Sequence, residues 1–159
     1  MRIIILSIFA LSLVYASDFE VEGLVFGVSH HFNNRDEYQF NEFNPGLGLM
    51  TFYNVSEHSA IGGVVAGYKN SYYEQSRLYG LLYRYQLGDV NKFHYGLQGG
   101  IASLSGYDPS PCGYFIGCGF ISYGRYSLDF LYMPVGKAKN CQIPSGAVCV
   151  WLQIKLLDF

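Results

Sequence analysis

The chain has 159 residues, half of them hydrophobic, and a formal net charge of −2. That length implies one domain, and its ten Lys and Arg are too scattered to form the basic stripe that nucleic acid requires. After the first fifteen residues no run is long and charge-free enough for a membrane-spanning helix.

Residues 1–16 read as a secretory signal: Arg2, an apolar run over 3–14, then Val14-Tyr15-Ala16 before Ser17. Residues 17–159 would then be the exported domain. Nineteen Gly and fifteen Tyr stand out. Tyr accumulates at membrane–water interfaces, and Gly relieves crowding inside a narrow barrel. The expected fold class is all-β, an eight-stranded antiparallel transmembrane β-barrel in the outer membrane.

The first predicted strand covers 20–32, and its side chains alternate between two faces. Leu24, Phe26, Val28, His30 and Phe32 form a bulky face; Gly23, Val25, Gly27, Ser29 and His31 form a small one. The bulky face suits lipid and the small face suits the interior. The second strand, 45–54, sets Gly46, Gly48, Met50 and Phe52 against Leu47, Leu49, Thr51 and Tyr53. The third, 59–70, is small or apolar on both faces. In the fourth, 76–87, Tyr79, Leu81, Tyr83, Tyr85 and Leu87 oppose Gly80, Leu82, Arg84 and Gln86.

The fifth strand sets Phe93, Tyr95, Leu97 and Ile101 against His94, Gly96, Gln98, Gly100 and Ala102. The sixth, 113–123, sets Tyr114, Ile116, Cys118 and Phe120 against Gly113, Phe115, Gly117 and Gly119. The seventh opposes Tyr126, Leu128, Phe130 and Tyr132 to Arg125, Ser127, Asp129, Leu131 and Met133. The eighth, 147–159, opposes Val148, Val150, Leu152, Ile154 and Leu156 to Cys149, Trp151, Gln153 and Lys155. One rule, apolar outward and small or polar inward, serves every strand but the third. Phe159 falls in phase with inward Lys155, so the alternation requires an irregularity near Leu157.

The longer connections follow strands one, three, five and seven and belong outside the cell; the tight turns face the periplasm. Inward residues then fall into two layers. Arg84, Gln86, His94, Arg125, Asp129, Gln153 and Lys155 make a polar plug near the turns, where buried charges must pair. Val25, Gly27, Gly46, Gly48, Gly80, Leu82, Gly100, Ala102, Gly117, Leu131, Met133 and Trp151 line the outer half. That half is either a socket for an acyl chain or a core filled by Trp151, Phe115 and Met133. The four Cys (112, 118, 141 and 149) allow three disulfide pairings, and their spacing with His argues against zinc. Cys141 and Cys149 bracket the last outer loop, which a disulfide would staple, while Cys118 lies on the lipid-facing phase as a free thiol. At the outer mouth His31 and Ser71 supply a base and a hydroxyl, the minimum for acyl transfer from an ester.

From Ser29 to the C-terminus the chain resembles the outer-membrane lipid A palmitoyltransferases (PagP-type). The resemblance rests on His31-Phe32 before a polar loop, Asn41-Glu42, Pro45-Gly46-Leu47-Gly48-Leu49, Tyr68-Lys69-Asn70-Ser71-Tyr72, Phe93-His94-Tyr95-Gly96-Leu97 and Tyr132-Met133-Pro134. It implies a monomeric barrel that moves a palmitoyl-like chain from a phospholipid to lipid A or a related acceptor, without cofactor or metal. It places the catalytic histidine on His31 rather than His30, the serine on Ser71, and the family's aspartate on Asn70. Asn orients by hydrogen bonds but cannot stabilise an imidazolium as a carboxylate does, which leaves Glu42 or Asp36 as substitutes. The resemblance also places acyl-chain contacts on Gly27, Gly48, Gly80, Leu82, Met133 and Pro134. Leu82 leaves less depth than a glycine and favours a shorter chain, and Pro134, with Pro109 and Pro111, marks gaps in the wall. The family's N-terminal amphipathic helix has no counterpart in residues 17–19. The alternatives are a non-catalytic barrel with a lipid-binding, structural or surface-masking role, and a lipid A deacylase.

Overall fold

The computed structural model describes residues 18–32, 39–90, 92–105, 112–133, 136–138, 141–143 and 146–159. The predicted signal (1–16), Asp36, Pro109, Pro111 and Pro134 lie outside them, as do the side chains of Cys112, Met133 and Cys141. The predicted staple between Cys141 and Cys149 therefore lies partly outside the described residues.

Eight antiparallel strands close on themselves: β1 (Phe19–His31), β2 (Phe43–Ser56), β3 (Ser59–Lys69), β4 (Gln75–Val90), β5 (Phe93–Leu104), β6 (Cys112–Tyr123), β7 (Tyr126–Met133) and β10 (Ala147–Asp158). The ring is closed by β1 pairing with β10. A short hairpin, β8 (Gly136–Ala138) with β9 (Cys141–Ile143), stands between β7 and β10. Among the described residues there is no helix. Closure gives every barrel strand two neighbours, which is what a sheet in lipid requires; among the described residues, β6 pairs with β7 over Cys118–Tyr123.

The outer surface is an apolar belt. Leu49, Val65, Leu81, Leu97, Ile101 and Leu128 are exposed along its middle. Aromatic rings flank them: Tyr53, Tyr85, Phe93, Tyr95, Tyr123 and Tyr126 at the tight-turn end, Phe43, Tyr73, Tyr79 and Tyr132 toward the other. So continuous an apolar surface is excessive in water and is the pattern of a barrel that spans a bilayer. The strand pairing confirms the predicted faces of β2, β4, β5, β7 and β10, and resolves β3 with Ala60, Val64 and Tyr68 inward and Ile61 and Val65 outward.

Two predicted faces are corrected. In β1, Leu24 and Phe26 are 1% and 4% exposed, facing inward rather than toward lipid. The register against β10 slips between Phe26 and Val28, leaving Gly27 as the extra residue of a bulge. A Cβ on Gly27 would stand 2.5 Å from the Val150 carbonyl oxygen, so glycine is what lets the strands approach there. Across the bulge the phase flips. Ser29 and His31 then face inward and His30 outward, as predicted, although the first half of the strand is inverted.

In β6, Ile116, Cys118 and Phe120 are buried while Phe115 is 71% exposed, the reverse of the prediction. Cys118 is thus an inward free thiol. The bulky residues of β6 pair with small or slim ones of β5: Phe120 with Gly96, Cys118 with Gln98, Ile116 with Gly100. A Cβ on Gly96 would lie 2.7 Å from the Phe120 ring, so the large side chain occupies the space that the glycine vacates. The predicted C-terminal irregularity is present. Val21 pairs with Leu157 and Glu22 with Lys155, so Leu156 is bulged and Leu156 and Leu157 are both exposed.

Candidate functional site: the outer mouth and the polar plug

The barrel interior has three storeys. Nearest the tight turns, Arg84 is the hub of a charged layer. Its Nη1 and Nη2 donate to the two carboxylate oxygens of Glu22 at 3.0 and 2.6 Å, and Nε donates to Gln98 Oε1 at 3.1 Å. Nη2 also reaches Gln153 Oε1 at 3.1 Å, while the guanidinium lies 3.7 Å over the Phe52 ring. Gln98 and Gln153 both donate onward to Asp129 Oδ2. Glu20 accepts from Asn54 and pairs with Lys155 at 3.3 Å. Bidentate, stacked geometry of this kind is specific to Arg. Arg84, Asp129, Gln153 and Lys155 sit in this layer as predicted, with Gln86 and His94 hydrogen-bonded to each other at 3.1 Å, whereas Arg125, predicted with them, is exposed in the turn between β6 and β7. Glu20 and Glu22, its principal anions, fall outside the inward set that uniform alternation predicts, because the first half of β1 is inverted.

Above that layer the predicted acyl-chain socket is filled. Phe26 stacks on Tyr68 with centroids 4.5 Å apart and 5° between planes, and Trp151 tilts against Phe26 at 4.8 Å. Leu24, Met50, Leu78, Leu82, Leu104 and Leu131 pack with them. Leu82 is part of this core. A Cβ on Gly80 would meet the Ile101 carbonyl oxygen at 2.9 Å, and one on Gly48 the Ala66 Cβ at 2.5 Å, so both positions are closely packed rather than open. Val25 lies outside, against the lipid-facing surface.

At the outer mouth the predicted chemistry-bearing residues meet. Ser29 Oγ donates to Asn44 Oδ1 at 2.6 Å and lies 3.4 Å from Ser71 Oγ. Asn44 Nδ2 donates to the carbonyls of Asn41 and Lys69, and Asn41 Nδ2 to that of Asn70. Asn70, buried, accepts at Oδ1 from the backbone N–H groups of Tyr72 (2.8 Å) and Glu74 (3.0 Å) and donates to Ser76 Oγ (3.0 Å). These are the bonds of an Asx-type turn that shapes residues 70–74. His31 is buried, lies flat on Phe40 at 4.3 Å, and keeps a buried Nδ1 that has no hydrogen-bond partner among the described residues. Its neighbour His30 is exposed and pairs with Glu42 at 3.0 Å.

The structure thus brings Ser71, Asn70 and His31 to one mouth, but among the described residues no hydrogen bond joins His31 to either of the other two. The Ser71 hydroxyl meets Ser29, and the Asn70 side chain serves its own turn. Glu42 engages His30 rather than His31. Ser29, Phe40, Asn41 and Asn44 were not singled out as site residues from the sequence, where their one signal was placement: two asparagines, a phenylalanine and a serine near the outer ends of β1 and β2.

No family model and no curated protein matches the chain. Among solved structures, it is similar to the outer membrane protein Ail of Yersinia pestis in a phospholipid bilayer nanodisc, with TM-score 0.47, 11% identity, and coverage of 86% of this chain and 99% of that one. The crystal structure of Ail, the attachment invasion locus protein of Yersinia pestis, aligns with TM-score 0.42 and 11% identity over 87% of this chain and 99% of the other. At that level of likeness no property passes from those proteins to this chain.

Proposed function

We propose that the chain is a non-catalytic outer-membrane barrel, a closed monomeric scaffold that holds its longer connections at the cell surface in a structural or surface-masking role. The observation that supports this reading is the filled interior. The Phe26–Tyr68–Trp151 stack occupies the volume an acyl chain would need, and an asparagine lattice ties the outer ends of β1, β2 and β3 together beside it. The three connections at the other end are two-residue turns, at 57–58, 91–92 and 124–125, so the elaborated segments share one end. The apolar belt and the reading of residues 1–16 as a signal support export and insertion in the outer membrane.

One observation favours a second reading, transfer of an acyl chain from a phospholipid to lipid A as in the palmitoyltransferases the sequence resembles. His31 is buried at the mouth with Nδ1 unpartnered among the described residues, on the same inward phase as Ser29, whose hydroxyl touches Ser71. In that chemistry the imidazole takes the proton of Ser71 as its oxygen attacks the donor ester. One experiment separates the readings: mass profiles of lipid A from cells expressing the wild type, His31→Ala and Ser71→Ala. Unchanged profiles in all three support the scaffold. An added chain lost in both variants supports transfer, and a missing chain restored in both supports a deacylase.

A further inference from the structure

Among the described residues, the polar layer holds one carboxyl more than it holds cations. Glu20, Glu22 and Asp129 share it with Arg84 and Lys155. Arg84 is taken by Glu22, with Glu20 at 3.8 Å, and Lys155 by Glu20 and the exposed Asp158. Asp129 is the remainder. It is 0% exposed and makes no ion pair among the described residues.

Its two oxygens have unequal surroundings. Oδ2 accepts from the Gln98 and Gln153 carboxamides and from the Cys118 thiol at 3.7 Å, whereas Oδ1 has no hydrogen-bond partner among the described residues. The carboxamides are not free to turn. Their oxygens accept from Arg84 Nε and Nη2 at 3.1 Å each, which commits their N–H groups to Asp129. An ionised carboxylate has two equivalent oxygens, both acceptors only. A neutral carboxylic acid has one of each kind: a carbonyl oxygen that collects donors, and a hydroxyl oxygen that carries the proton. In a buried site an unpaired neutral hydroxyl costs far less than an uncompensated charge.

We propose that Asp129 is held in the folded barrel as the neutral acid, with its proton on Oδ1, and that the polar layer is thereby a pH-sensitive latch joining β5, β7 and β10. The charged and titratable groups around it are Arg84 on β4, Glu22 on β1 beyond Arg84, and Cys118 on β6; Gln98 on β5 and Gln153 on β10 are neutral. His94 on β5 stands toward the tight turns, hydrogen-bonded to Gln86. With both cations already committed, ionisation of Asp129 adds a charge that nothing in the layer balances, and the tie loosens. A vestibule of about 280 Å³ between the tight turns, lined by Arg84, Ser127 and Gln153, brings water to the underside of the Gln153 bridge and gives the proton its route. The latch goes with either reading of the function, since neither uses Asp129.

In the unfolded chain Asp129 ionises at about pH 4, as an ordinary carboxyl does. Above that pH unfolding releases a proton that the folded barrel keeps, so this group's contribution to stability falls as pH rises. The test is urea unfolding of the refolded barrel in lipid vesicles at about pH 5 and about pH 6, for the wild type and Asp129→Asn. The carboxamide of the variant keeps an acceptor for Gln98 and Gln153 and has no charge to gain. Other titrating groups affect both proteins alike, so the ratio of their folding constants isolates Asp129. That ratio is expected to move by about tenfold in favour of the variant at the higher pH, the linkage for one proton over one pH unit. Infrared difference spectra of the wild type alone, between about pH 6 and about pH 9, give a second readout that does not depend on the variant folding. The carbonyl stretch of a protonated carboxylic acid is expected at the lower pH and its loss at the higher. A ratio that does not move with pH overturns the proposal, as does a wild-type spectrum without the acid band at the lower pH.

Discussion

Removing Glu22 is the sharpest probe of what holds this barrel together. Glu22 and Arg84 are buried opposite one another, and Glu22→Ala deletes two charge-assisted hydrogen bonds at 3.0 and 2.6 Å. Each such bond contributes about 1.5–3 kcal/mol, and stripping one partner from a buried ion pair costs about 3–5 kcal/mol because the remaining charge is left uncompensated. Glu20, 3.8 Å from Arg84, keeps some of that compensation, which places the expectation at the lower end, about 3 kcal/mol. The assay is reversible urea unfolding of the refolded barrel in lipid vesicles, followed by tryptophan emission from the single residue Trp151. The loss should shift the midpoint by about 1–2 M for an m-value of about 2 kcal/mol/M. Glu22→Leu with Arg84→Met removes both charges of the pair and should recover part of the loss, because no guanidinium is left uncompensated, although Gln98 and Gln153 lose their Arg84 donor. A Glu22→Ala shift of a few tenths of a molar, or a double variant weaker than the single, would refute this account of the plug.

Phe26→Ala should destabilise the barrel by about 3–5 kcal/mol and open the volume beside Tyr68 and Trp151; a small apolar ligand should then raise its unfolding midpoint, an effect absent in the wild type. Asn70→Ala strips acceptors from the Tyr72 and Glu74 amides, so both should exchange hydrogen about five- to tenfold faster, on the basis of about 1–1.5 kcal/mol per lost bond. Exchange unchanged at those two amides would show that the turn stands without its asparagine. Gly27→Val should cost about 1–3 kcal/mol through overpacking against the Val150 carbonyl, whereas Gly63→Val, on the lipid face, should cost little in the same urea titration. Cys118 is buried beside Asp129; it should resist maleimide in the folded barrel and react fully once the chain is unfolded, and rapid labelling of the native form would return it to the lipid-facing side.

Much of the candidate site was legible because a barrel strand has period two. The outward tyrosines of β4 and the inward Arg84 and Gln86 follow from alternation alone, as does the pairing of apolar with polar faces in β7. Even the inverted β6 was within reach. The two-residue turn Gly124-Arg125 sets Tyr123 directly across from Tyr126, so the outward phase of Tyr126 carries back to Tyr123, Ile121 and Phe115 and sends Phe120 inward. The polar layer gave a further sign: Arg84, Arg125 and Lys155 against Asp129 alone is an unbalanced interior, and Glu20 and Glu22 were the nearest carboxylates on a strand.

The sequence by itself determined the number of barrel strands, the position of the tight turns and most of the apolar belt, because each depends on local periodicity or turn chemistry; His31 faces inward only because the Gly27 bulge flips the phase that alternation alone would carry through. The tertiary structure alone decided which half of β1 faces inward, because a bulge is a mismatch between two strands and Gly27 shows it only against Val150. It also decided that the outer half is a packed core, since whether small residues leave a socket depends on which large ones fill it from neighbouring strands. The closing of Ser71 and Asn70 into a lattice with Ser29 and Asn44 joins three strand ends distant in sequence, and no single stretch of the chain encodes it.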